Sequence, residues 1–160
     1  MAQQFVSEKK WRRRVVRYAP LLFWLVVIFG FSSEQASAAQ TSRIIKPILE
    51  FLFPAITPAS IDVVHAFIRK LAHLTEYGIL GLLAFRAFRA SRYMLLNAYP
   101  AAAAILLIAI AASLDEFNQS FEPSRTSSPF DVLLDTIGCC VAILIGWLIY
   151  WRTRPVVTDR

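Results

Sequence analysis

Apolar residues in this chain come in blocks, and the charged residues gather between them. The first block, residues 15–31, has no charge after Arg17. At ~1.5 Å rise per residue, its roughly 17 residues just reach across a bilayer core. The second, residues 65–86, is polar in its first half and fully apolar from 77 to 85. The third, residues 95–114, is rich in alanine, with Pro100 near its start. The fourth, residues 130–151, ends on Tyr150 and Trp151, an interfacial aromatic pair followed by Arg152 and Arg154. Between blocks one and two, Ile44, Ile45, Ile48, Leu49, Phe51 and Leu52 cluster among Arg43, Lys46 and Glu50, and Pro47, Pro54 and Pro58 interrupt. That stretch suits a short helix lying at a membrane surface, ended by a proline-rich turn. Ser60 is expected to cap the next helix, with Asp62 near its positive N-terminal end. The pattern predicts an all-α membrane protein. Four transmembrane helices form a bundle, with a short interfacial amphipathic helix between spans one and two, in a single domain over residues 1–160. No internal repeat is visible.

Composition agrees with the pattern. The chain is 57% hydrophobic and 18% charged, too apolar for an ordinary soluble domain of 160 residues. The net charge of +6 does not point to nucleic acid, because the basic residues flank apolar blocks instead of forming a face. The N-terminal arm, the 86–92 turn and the C-terminal tail hold 12 of the 17 Lys and Arg residues. Basic loops stay cytoplasmic, so both termini are expected inside, with membrane lipids as the surroundings. Nine of the 11 acids (Glu34, Glu50, Asp62, Glu76, Asp115, Glu116, Glu122, Asp131, Asp135) then fall on the outer side. A rival reading of the N-terminus is a cleavable signal peptide ending near Ala36-Ser37-Ala38. The long basic segment and the intruding Glu34 favour an uncleaved span. Cys139 and Cys140 are adjacent inside an apolar block and lack metal-site spacing; they read as small helix-packing residues.

The predicted topology brings four polar segments to one end of the bundle. Phe31-Ser32-Ser33-Glu34-Gln35 ends span one. Arg69, His73 and Glu76, at i, i+4 and i+7, share one face early in span two. Asp115, Glu116 and Gln119 end span three. Arg125, Asp131 and Asp135 lead into span four, where Asp131, Asp135 and Gly138 repeat i, i+4, i+7. Each set is expected to face the interior, since a charge facing lipid near the bilayer centre costs about 2.5–3.5 kcal/mol. Gly78, Gly81, Gly138 and Gly146 permit close helix approach around the pocket.

These residues carry a resemblance. The chain resembles the VanZ-like membrane proteins in Phe31-Ser32-Ser33-Glu34-Gln35 and in Lys70-x-x-His73-x-x-Glu76-Tyr77 with Leu80 and Leu83. It does so again in Asp115-Glu116-x-x-Gln119-x-Phe121-x-Pro123-x-Arg125, and in Asp131 followed by Gly138. All four pieces occur in order over roughly residues 20–150. Two departures stand out. Asp135 occupies a position where the family usually carries Asn, and the Ser124–Ser128 turn lacks the glycine often seen near the arginine. The resemblance implies a multi-pass protein of the bacterial inner (plasma) membrane and a place in the cell envelope. It also implies an association with resistance to the glycopeptide teicoplanin.

The chemistry stays open between several classes. His73, Glu76, Asp115 and Glu116 are the candidate catalytic groups: a His–carboxylate pair moves protons, and hydrolysis by an activated water is the least demanding reaction. Arg69, Gln119, Arg125, Asp131 and Asp135 are the candidate substrate-binding groups, with Arg125 and Arg69 suited to an anionic head group. The bland alternatives are a polar clamp between helices for His73 and Glu76, neutralisation of the acids by Arg69, Lys70 and Arg125, and an ion pair of Arg125 with Asp131 or Glu122. His65 reads as interfacial. Ser113, Ser120 and Ser124 lack a clear base. No cofactor is called for; Asp115 and Glu116 with Glu76 and His73 could hold a divalent cation, but no ligand spacing is diagnostic of a metal. As an enzyme, the protein would act on a lipid-linked or cell-wall substrate at the outer leaflet. As a binder it would hold an envelope lipid or a glycopeptide ligand; as a lipid translocator it would form homo-oligomers, since four spans are few for a monomeric transporter. The third class is a structural partner of another membrane protein.

Overall fold

The computed structural model describes residues 2–31, 38–121 and 128–152. The described residues form six α-helices and no strand: α1 (Ala2–Phe31), α2 (Ala38–Leu52), α3 (Pro58–Arg89), α4 (Met94–Ala98), α5 (Pro100–Gln119) and α6 (Pro129–Arg152). The α3, α5 and α6 helices pack on one another, and α1 and α2 lie against α3. Among the described residues, two helices, α5 and the 129–149 part of α6, are long and apolar enough to cross a membrane, with mean hydropathy of 1.7 and 2.4. Only 28% and 22% of those spans is buried inside the protein. Leu106, Ile110 and Leu114 of α5 and Leu144, Ile145 and Leu148 of α6 all face outward. A helix apolar all round with so little of it covered is compatible with hydrocarbon as its solvent. By contrast, α1 and α3 mix charge into their length, from Arg12 to Arg17 in one and at Asp62, Arg69, Lys70 and Glu76 in the other.

Several boundaries differ from the sequence expectation. The α1 helix begins at Ala2, because the basic arm continues the same helix. Pro47 lies inside α2 instead of interrupting it. The cap of α3 is Thr57, not Ser60: its Oγ1 accepts from the Ser60 backbone N–H at 3.2 Å, and Pro58 starts the helix. The expected third block divides at Tyr99 into the short α4 and the long α5, with Pro100 opening the latter. On α2, Ile48, Phe51 and Leu52 are exposed.

Small residues set the tightest crossing. A methyl on Gly138 of α6 would meet the Leu74 carbonyl oxygen of α3 at 2.8 Å, and one on Gly81 would meet Cys139 Sγ at 2.5 Å. Gly78 faces Ala142 and the Gly138 carbonyl. This is the glycine-mediated approach read from the sequence, with buried Cys139 as its partner. The core beneath it joins Tyr77, Leu80, Ala84, Ile108, Ala112 and Ile143. Side-chain hydrogen bonds fasten α1 to α3. The Trp24 indole N–H donates to the Glu76 carbonyl oxygen at 2.9 Å, and the Tyr18 hydroxyl donates to Ser91 Oγ at 3.0 Å. The earlier of the two α1 residues therefore meets the turn just past α3 and the later one meets its middle, so the two helices run antiparallel.

Candidate functional site

Polar side chains converge where α3 begins its bundle contacts, α5 ends and α6 starts. Arg69, Lys70 and His73 come from α3, Glu116 and Gln119 from the last turns of α5, and Asp131, Leu134 and Asp135 from the start of α6. They line a cleft of about 300 Å³, its open mouth included. Local sequence explains the placement. Pro129 opens α6 and puts Asp131 in its first turn, where a carboxylate suits the helix dipole. The Ser128 backbone N–H donates to Glu116 Oε2 at 2.9 Å, which ties the start of α6 to the end of α5. Across the cleft Lys70 Nζ donates to Asp131 Oδ1. His73 Nδ1 lies 3.9 Å from Asp135 Oδ2, an ion pair whenever the imidazole is protonated. Arg69 lies in the field of Glu116.

A second layer sits deeper. Asp115 is buried, and its Oδ2 accepts from Gln119 Nε2 at 2.9 Å, one helical turn away. Tyr77 is fully buried, and the His73 ring stacks over it at 6.3 Å and 13°. The Tyr77 hydroxyl lies beside the Asp115 carboxylate, and neither it nor Asp115 Oδ1 makes a well-formed hydrogen bond. Asp135 is 1% exposed, and its Oδ1 also has no hydrogen-bond partner. Around it lie Asp115, Glu116, Asp131 and Glu76. Among the described residues, five carboxylates thus share one region with two permanent cations, Arg69 and Lys70. Buried charge without a partner is costly, so such an arrangement is rarely incidental.

The structure brings Arg69, His73, Glu116, Gln119, Asp131 and Asp135 together as the sequence suggests. Glu76 and Asp115 do not line the cleft; they lie beneath it, as neighbours. Seven residues of helix carry Glu76 ~10 Å deeper than Arg69, so a shared face does not mean a shared depth. Arg125, Glu122, Ser124 and the Ser32–Gln35 segment lie outside the described residues. The sequence names Lys70 only as a neutralising charge, whereas it bonds Asp131 directly. Tyr77, the buried phenol between His73 and Asp115, is absent from the expected site. Its spacing of i+4 from His73 was the available signal. The Ser113 and Ser120 hydroxyls donate to the carbonyls of Ala109 and Phe117 in their own helix. Among the described residues, no group of three His, Cys, Asp or Glu side chains is arranged to hold a metal ion.

A family model described as VanZ/LLP1 matches residues 17–150, which take in every helix of the cleft. No curated protein and no solved structure matches the chain. The chain belongs to the VanZ/LLP1 family.

Proposed function

We propose that this VanZ/LLP1 family member is a four-span protein of the bacterial inner membrane whose cleft opens outward and takes an envelope ligand of lipid, cell-wall or glycopeptide type. The observation that carries the proposal is a polar cleft with buried Asp135 and Asp115 in a bundle that is otherwise apolar outward. Ionisable groups inside a membrane bundle are retained for a task more often than for stability. The outward direction is supported by charge. Arg86, Arg89 and Arg92 lie at the far end of α3 from the cleft, and Arg152 at the far end of α6. Basic ends stay in the cytoplasm. Spans one and two are then the apolar part of α1 and the body of α3, with α2 lying at the outer surface.

The cleft is first a binding site. The His73–Asp135 pair beside Glu116 adds a group able to move a proton, so hydrolysis by an activated water is the reaction it would support. The test is expression of the chain in a teicoplanin-susceptible bacterium, with growth inhibition measured beside membrane protein level. The wild-type chain should raise the inhibitory concentration, and His73→Ala, Glu116→Gln and Arg125→Ala should lower it at equal protein level. Variants that insert normally and protect fully would sink the site assignment. Variants that all lose the protein would make the cluster structural.

A further inference from the structure

We propose that the cleft selects a cationic ligand, the primary ammonium group of an amphiphile, seated against Asp135 and Glu116. The inference rests on the ligand-binding reading of the cleft and reverses the anionic head group that Arg69 and Arg125 suggest from sequence. Of the two permanent cations that line the cleft among the described residues, Lys70 is paired with Asp131, and Arg69 lies in the field of Glu116. An arriving anion would meet those carboxylates beside either cation. The carboxylates are in excess: Glu76, Asp115, Glu116, Asp131 and Asp135 surround one another. Acid alone would not make a site. Here Asp135 lines the cleft, is 1% exposed, and has an Oδ1 with no hydrogen-bond partner. An ammonium supplies the missing donors, three on one nitrogen. It also returns charge to a region where acids outnumber Arg69 and Lys70 by three if His73 is neutral.

The shape favours an organic cation over a metal ion. No three acidic, histidine or cysteine side chains among the described residues converge at metal distance. The enclosed part of the cleft is little larger than a single water, a size that one ammonium group matches, and the rest is its open mouth. At the same end of the bundle, Phe117 and Phe121 of the α5 terminus pack edge to face at 5.1 Å and are exposed, as is Phe130 at the start of α6. These rings suit the apolar tail of the same molecule.

The experiment measures thermal unfolding of the full chain in neutral maltoside micelles against dodecylamine, dodecyl phosphate and magnesium chloride. Dodecylamine should raise the midpoint saturably. Asp135→Asn should increase the concentration needed at least tenfold, and Glu116→Gln serves if that variant does not fold. A dodecyl phosphate response that either variant weakens would overturn the cationic preference while leaving the cleft as a ligand site. Stabilisation by magnesium alone would overturn the organic head group. No saturable response to any probe, or a dodecylamine response that neither variant alters, would overturn both proposals.

Discussion

Gly138→Ala tests the packing that holds the cleft in shape. The added methyl would sit 2.8 Å from the Leu74 carbonyl oxygen and 2.9 Å from Leu74 Cδ1. Ordinary C···O contact begins near ~3.3 Å, so α3 and α6 must part by roughly half an ångström. The Leu74 carbonyl belongs to helix backbone and cannot turn aside. Overpacking of this kind costs about 1–3 kcal/mol. Alanine also gains roughly 1 kcal/mol over glycine as a helix former, and this must be subtracted. Gly30→Ala supplies the subtraction, because a methyl there meets nothing within 4 Å. The helix gain is smaller at Gly30, one residue from the end of α1, so the difference between the two variants is chiefly the packing term, about 1–3 kcal/mol. For a chain of this size that is a gap of roughly 2–12 °C in unfolding midpoint. The assay is thermal unfolding of both variants in the same micelles, with Gly30→Ala the more stable. Equal midpoints would refute the close α3–α6 crossing. The same displacement widens the Lys70–Asp131 and His73–Asp135 pairs, so Gly138→Ala should also weaken whatever the cleft holds.

Other perturbations reach the remaining parts. Tyr77→Phe removes a buried hydroxyl without a partner, so stability in an unfolding assay should hold or rise by about 1 kcal/mol; a clear loss would mean that the phenol bonds Asp115. Trp24→Phe deletes the donor to the Glu76 carbonyl and should lower stability by about 0.6–2 kcal/mol; an unchanged midpoint would mean that α1 is held by apolar contact alone. A Lys70→Ala and Asp131→Ala double-mutant cycle should give a coupling of only ~0.2–1 kcal/mol, because the lysine side chain is 50% exposed; a much larger value would mean the pair is closed from water.

The fold was legible where hydrophobicity alone decides it. The block read at 130–151 lies within α6, and Pro129 starts that helix. It was less legible where local chemistry decides. Thr57 and Ser60 are both capping residues, and only the position of Pro58 selects the former. The break at Tyr99 left no apolar gap to notice. At the site, periodicity put Arg69 and His73 on one face, and the structure agrees. Cross-helix register is not periodic, so neither the Lys70–Asp131 bond nor the descent of Glu76 and Asp115 beneath the cleft could be read. Tyr77 was hidden for a related reason. A tyrosine beside glycines in an apolar run looks like packing until Asp115 is found next to it.

The central claim is that the cleft end of the α3–α5–α6 bundle faces outside the cell. In a chain with Cys139 and Cys140 replaced by serine, single cysteines at Phe121→Cys and Tyr93→Cys mark its two ends, and both positions are exposed. A membrane-impermeant maleimide added to intact cells, with the outer barrier opened where there is one, should label the first and spare the second until the inner membrane is broken. Labelling of Tyr93→Cys alone, or of both sites alike in intact cells, would contradict the account.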